Sequence, residues 1–171
     1  RDALANVGSV TSDFDLNRDV ALPSDRVLRP AGVLAPIQEV NGRLELLLTK
    51  RSSALKHHPG QISFPGGKQD SGDVDSVAAA LREAHEEIGL PPQQVEILGV
   101  LRDGARITTA KGARPAKSVP LAHVLDPQNY LIQSRRWRGT LRHYFVVPFG
   151  PYYIWGATAR MLREWTNRMT S

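Results

Sequence analysis

The stretch from Asp75 to Pro92 restricts the fold more than any other part of the chain. It reads Asp-Ser-Val-Ala-Ala-Ala-Leu-Arg-Glu-Ala-His-Glu-Glu-Ile-Gly-Leu-Pro-Pro. Asp75 or Ser76 supplies a side-chain oxygen for the unpaired N–H groups of a first helical turn. Gly89 suits the left-handed residue that closes a helix, and Pro91-Pro92 prevents its continuation. A helix over about 76–88 follows. At about 100° per residue, Val77, Leu81, Ala84 and Ile88 fall on one narrow stripe that can bury against a sheet. Glu83, Glu86 and Glu87 fall together on a neighbouring stripe, because positions i, i+3 and i+4 share a face. Three like charges so placed repel one another, and only Arg82 is near in sequence to offset them. A hard divalent cation would resolve the repulsion, since Mg²⁺ and Mn²⁺ prefer carboxylate oxygens. Taken alone, the glutamates are better explained by a solvated acidic face. The residues upstream change that balance.

Those residues give the order strand, glycine-rich loop, acidic helix. Ala31 to Ile37 is apolar enough for a strand, although Pro36 argues for a sheet edge or a strand end. Asn41-Gly42 is a hairpin turn signal, and Arg43 to Thr49 reads as the partner strand. Lys50 to Gly60 is a basic loop with two histidines. Gln61 to Phe64 is a short strand stopped by Pro65-Gly66-Gly67, whose backbone can approach a ligand closely. A loop with Asp70, Asp73 and Asp75 leads into the helix. Further along, Val95 to Leu101 and Leu141 to Phe149 read as strands. Pro120 to Leu125 reads as a short helix, and Trp155 to about Arg168 as a closing amphipathic helix. Residues 1–25 form a polar arm or short helix, and 102–118 an atypical, shortened loop. The whole, 1–171, is expected to be one α+β domain with strands on both sides of a central helix.

A chain of 171 residues is long enough for one domain with a real core. It has no cysteine, which excludes disulfides and thiolate metal sites. The net charge of +5 favours anionic partners such as phosphorylated small molecules. The one basic cluster, Arg135-Arg136-Trp137-Arg138, reads as a solvated loop rather than a nucleic-acid footprint. Apolar runs such as Leu46-Leu47-Leu48 and Phe145-Val146-Val147 are far too short to span a bilayer. Neither nucleic acid nor membrane is therefore an expected partner. No secretory signal is visible, so a cytoplasmic protein is expected. The chain opens at Arg1 rather than at a Met, and its natural start is expected upstream.

Gly67, the Asp73 loop and Arg82-Glu83-Ala84-His85-Glu86-Glu87-Ile88-Gly89-Leu90 together resemble the Nudix box, G-x5-E-x7-R-E-U-x-E-E-x-G-U with U apolar. The second half matches at every fixed position. In the first half Asp73 stands where a Glu is expected, and its spacing to Arg82 is one residue longer. Asp70, Asp73 and Asp75 all remain candidates to pair with Arg82. Two further stretches narrow the resemblance to the coenzyme A pyrophosphatases. Leu48-Thr49-Lys50-Arg51-Ser52, followed by Leu55-Lys56-His57-His58-Pro59-Gly60-Gln61-Ile62-Ser63-Phe64-Pro65-Gly66-Gly67, is similar to the segment that precedes the box in that group. Ile154-Trp155-Gly156-Ala157-Thr158-Ala159 is similar to its C-terminal segment.

The resemblance implies an α/β/α sandwich, a mixed sheet flanked by helices. It implies metal-dependent hydrolysis of a pyrophosphate bond with Mg²⁺ or Mn²⁺. For coenzyme A or its thioesters the adenylate product would be 3′,5′-ADP and the other 4′-phosphopantetheine or its acyl form. ADP-ribose or NADH-type dinucleotides are the alternative substrates, and a non-catalytic nucleotide-binding module is the alternative class. Glu83, Glu86 and Glu87 would hold the metal, with the Gly67 carbonyl as a further ligand. Glu83 or Glu87 would take the proton of the attacking water, and Arg82 would orient a carboxylate. Arg51, Lys56, His58 and Gly66 are the candidates for substrate contact. A homodimer is a further expectation from the resemblance. His85 reads as a surface residue, and Met161, Leu162 and Trp165 as helix packing.

Overall fold

A computed structural model describes residues 15–17, 29–51, 60–101, 105–111, 113, 117–137 and 139–170. The expectations for Lys56, His57, His58 and most of the N-terminal arm lie outside the described residues. The chain order is β1 (Ala31–Val40), β2 (Arg43–Lys50), β3 (Ile62–Ser63), β4 (Gly66–Lys68), α1 (Ser76–Ile88), β5 (Ile97–Val100) and β6 (Arg106–Thr109). It continues with β7 (Lys117–Pro120), α2 (Leu121–Val124), β8 (Leu131–Trp137), β9 (Thr140–Phe149), β10 (Tyr152–Trp155) and α3 (Ala157–Thr170).

The larger sheet is mixed. Its strands run β3-β2-β1-β6-β5, with β4 also on β1 and β7 also on β2. Only the β1–β6 pair is parallel. The second sheet is an antiparallel β10-β9-β8 unit. Asn41 and Gly42 turn β1 into β2 with φ of 52° and 75°. Positive φ at both central residues is the tight hairpin geometry that matches strand twist.

Alternation along β1 and β2 divides the core into two layers. Leu34 and Leu47 pack with Ala80, Ala84 and Ile88 of α1. Ala35, Leu46, Leu48 and Ile107 pack with Val147 and Ile154 of the small sheet and Leu162 and Trp165 of α3. The sheet is thus covered by α1 on one face and by α3 with the small sheet on the other, which is the expected α+β sandwich. No helix among the described residues is long and apolar enough to cross a membrane.

The structure corrects several details. The buried face of α1 is Ala79, Ala80, Ala84 and Ile88, with Val77 and Leu81 only half-buried. Small residues face the sheet because α1 lies very close to it. A Cβ on Gly32 would sit 1.8 Å from the Ser76 carbonyl oxygen. Pro36 is inside a central strand rather than at an edge. It occupies the handover where β1 leaves β4 after Val33 and meets β2 at Ile37, so no antiparallel partner needs its missing N–H. Gly66-Gly67 does not merely stop β3 but begins β4. The region 102–118 contains β6, whose Ile107 and Thr108 are fully buried, and the start of β7. The basic Arg135-Arg136-Trp137 run is strand β8, not a loop, and all seven β8 residues are exposed. Trp155 ends β10 and lies outside the closing helix.

Candidate active site

Helix α1 begins as its sequence requires. Asp75 accepts hydrogen bonds from the N–H groups of Val77 and Ala78, both at 2.8 Å. It ends at Gly89, whose φ of 64° is left-handed and whose N–H donates to the His85 carbonyl at 2.9 Å. Between these caps the helix presents Glu83, Glu86 and Glu87 on one face, with His85 exposed.

Strand β4 lies beside that face. It pairs with the start of β1, Gly66 opposite Val33 and Gly67 opposite Gly32. The Gly66 N–H donates to Glu87 Oε2 at 3.2 Å. Gly66 has φ of 144°, and a Cβ there would come within 2.3 Å of the Gly32 carbonyl oxygen. A Cβ on Gly67 would lie 2.5 Å from Glu83 Oε1. Both glycines are therefore required: one for its backbone conformation, the other so that a carboxylate can rest against the chain.

Arg82 organises the remaining charge. Its Nε and Nη2 reach the two oxygens of Asp73 at 3.1 and 3.0 Å, a bidentate pair. Nη1 reaches Glu83 Oε1 at 3.1 Å and Glu86 Oε1 at 3.5 Å, and Nη2 also donates to the Lys68 carbonyl at 3.3 Å. Of the three candidate aspartates, Asp73 is the true partner, with only 7% of its side chain exposed. Asp70 is 3.5 Å from Arg82 and largely solvated, and Asp75 is the helix cap. The longer spacing between Asp73 and Arg82 is absorbed by a turn in which the Asp70 N–H donates to Asp73 Oδ2 at 2.9 Å.

The electrostatics follow these contacts. The Arg82 hydrogen bonds, then the Asp70 N–H, hold the Asp73 carboxyl below its ordinary pKa of 3.8. The same pairing raises Arg82 further above its already high value. Glu87 is pushed above the ordinary carboxylate range, chiefly by desolvation, with Glu83 and Glu86 adding to the rise. The Gly66 N–H and the charge of Arg51 oppose it.

Arg51 thus acts on Glu87 from the exposed end of β2. Its N–H donates to the Gln61 carbonyl at 2.9 Å, and its carbonyl accepts from the Gly60 N–H at 3.1 Å. These bonds join Arg51 to Gly60 and Gln61. Gly66, a candidate for substrate contact, has its N–H on Glu87. Among the described residues, no three carboxylate or imidazole groups converge as a preformed metal cluster. Glu83 and Glu86 turn to Arg82, and Glu87 turns to Gly66. The donor set nonetheless suits a hard cation: three carboxylates on one helical face, one of them lying against a glycine backbone.

The NUDIX domain model matches residues 28–146. The chain belongs to the Nudix family. A protein from Enterobacter sp. (strain 638) named uncharacterized Nudix hydrolase NudL is 36% identical over 182 residues, covering 88% of this chain and 93% of that one. A protein of the same name from Citrobacter koseri is 36% identical over 155 residues, 80% of each chain. The crystal structure of a MutT/nudix family protein from Enterococcus faecalis matches at a TM-score of 0.52, covering 92% of this chain and 68% of that one. At 14% identity this agreement is one of fold. The protein is a Nudix pyrophosphohydrolase. It cleaves a pyrophosphate bond in a nucleoside diphosphate derivative with the help of a divalent cation.

Proposed function

We propose that the substrate is coenzyme A or one of its thioesters, cleaved to 3′,5′-ADP and 4′-phosphopantetheine or its acyl form, with Mg²⁺ or Mn²⁺ as the cation. The observation that carries this reading is the position of Arg51. It stands where the basic segment leaves β2, and its charge acts on Glu87. The segment that resembles the coenzyme A pyrophosphatases therefore starts beside the acidic helix. Arg51 is suited to a substrate phosphate, as are Lys56 and His58 by their chemistry.

Glu83, Glu86 and Glu87 would hold the cation, with the Gly67 carbonyl beside them. A divalent cation neutralises pyrophosphate oxygens and lowers the pKa of an attacking water. Glu83 or Glu87 would take the proton of the attacking water; Glu83 lies against Arg82 and Glu87 against the Gly66 N–H. Arg82, engaged by both oxygens of Asp73, would orient carboxylates rather than touch substrate. The test is incubation of the purified chain with coenzyme A and Mg²⁺ or Mn²⁺, followed by chromatography for 3′,5′-ADP. Cleavage of ADP-ribose or NADH without cleavage of coenzyme A would overturn the substrate assignment and keep the chemistry.

A further inference from the structure

On the sheet face away from α1, residues of β2, β3, β7 and β10 border a half-open cavity of about 450 Å³. Ile62 and Tyr152 tie its wall to the core cluster under α3. Lys50 and Lys117 both line it. Lys117 pairs with Leu48, and Lys50 lies two residues further along the same face of β2. Such diagonal neighbours are about 7–8 Å apart. Among the described residues, no carboxylate lines the cavity. Tyr152, Tyr153 and Trp155 of β10 add three aromatic rings to the wall, beside Gly60, Gln61, Ile62 and Pro151. Lys117 Nζ stands 5.4 Å from the Tyr152 ring centroid, and Gln61 Nε2 donates to the Trp155 carbonyl at 3.4 Å.

Two lysines without an acid attract a phosphate, and a wall of rings suits a planar base. The volume lies in the range of small-molecule sites, roughly 300–1,000 Å³. Gly60 and Gln61 also line the cavity and hydrogen-bond to the backbone of Arg51. Successive residues of a strand face opposite ways, so Lys50 and Arg51 look to opposite sides of the end of β2. A substrate laid across that end meets Arg51 on one side and Lys50 on the other.

We propose that this cavity is the subsite for the phosphorylated nucleoside of the substrate. Lys50 and Lys117 take the ribose phosphate, and the β10 aromatics take the base. This rests on the nucleotide-substrate reading above and assigns that substrate's two ends to the two faces of the sheet.

The probe is 3′,5′-ADP, titrated calorimetrically without metal into the whole chain and into Lys50→Ala, Lys117→Ala and Arg43→Ala. Arg43 is exposed at the far end of β2 and controls for loss of net charge. Thermal melting confirms that each variant is folded. The expected result is a Kd raised at least tenfold in both lysine variants and unchanged in Arg43→Ala. Turnover of coenzyme A by the lysine variants then loses through KM. Binding within twofold of wild type in both lysine variants, or no binding by the wild type at millimolar probe, overturns the subsite. Coenzyme A cleavage that persists in that case leaves the proposed function standing. Lysine-dependent binding without any coenzyme A cleavage does the reverse.

Discussion

Arginine occurs in two opposite settings in this molecule. Arg82 sits among Asp70, Asp73, Glu83 and Glu86, with every contact at 3.5 Å or less. Arg135 on β8 lies directly across from Arg142 in the exposed first half of β9, and neither has an acidic partner among the described residues. In the first setting the guanidinium sets the directions of several carboxylates at once. In the second, two like charges occupy one cross-strand pair, an arrangement that weakens a hairpin. Neighbours decide what an arginine contributes, and they also decide what each setting reveals from sequence.

The largest expected effect is on the anchored side. Glu87→Gln keeps the shape and the Gly66 contact but removes the charge and the proton acceptor. Metal-dependent pyrophosphate hydrolysis should fall roughly 10²–10⁴-fold, the usual worth of a general base. A variant within threefold of wild type would mean that Glu87 only borders the site. Next is Asp73→Asn, which removes the bidentate brace from Arg82. Loss of such an outer partner costs roughly 10–100-fold in metal affinity or activity. This change also has a pH signature. Asp73 has its carboxyl pKa lowered by folding, so its contribution to stability is complete above its ordinary value of 3.8 and is lost as pH falls through the lower folded value. Urea midpoints measured on either side of that window should drop in the wild type, and Asp73→Asn should lose this component of the drop. Equal acid sensitivity in both proteins would show that the brace carries little of the linkage.

The anchored region was largely legible before any coordinates. The 76–88 helix, its Asp75 cap and its Gly89 terminator were readable because caps and terminators act within a few residues. The shared face of the three glutamates follows from helical periodicity alone. Which aspartate meets Arg82 was not legible, because a turn closed by the Asp70 N–H brings Asp73 back across nine positions. Strand β6 was hidden because its four residues become a strand by lying between β5 and β1, and the parallel pairing with β1 is a contact between distant segments. Strand β8 was hidden for another reason. It is exposed throughout, so it carries no apolar alternation to read. The lysine-lined cavity was illegible too, since Lys50 and Lys117 meet only through the β2–β7 pairing.

Between these effects lies a change that tests how α1 is held on the sheet. Gly32→Ala would put a methyl group 1.8 Å from the Ser76 carbonyl oxygen, a backbone atom that cannot move without the helix. Overpacking of this kind costs about 1–3 kcal/mol. A chain of this size then loses roughly 2–4 °C of Tm per kcal/mol. Activity should fall as well, because Gly32 pairs with Gly67 and any shift of α1 moves the glutamates relative to β4. A full retention of Tm would mean that the helix start adjusts freely and that the anchoring lies at Arg82 instead.

The smallest expected effect comes from the exposed hairpin and has the opposite sign. Arg135→Gln removes one of two like charges that face each other across β8 and β9. Directly opposed cross-strand pairs shift stability by about 0.2–1 kcal/mol. The variant should therefore be more stable than the wild type by a few tenths of a kcal/mol in urea unfolding at low salt. The gain should shrink at high salt, where the Debye length falls to roughly 3 Å at 1 M and exposed charges no longer sense each other. Arg142→Gln should do the same, and the double variant should gain less than the sum, because a single substitution already relieves the repulsion. A loss of stability in either single variant would mean that these arginines contribute packing along the strand that outweighs their repulsion. The contrast with Arg82 would then rest on exposure rather than on charge.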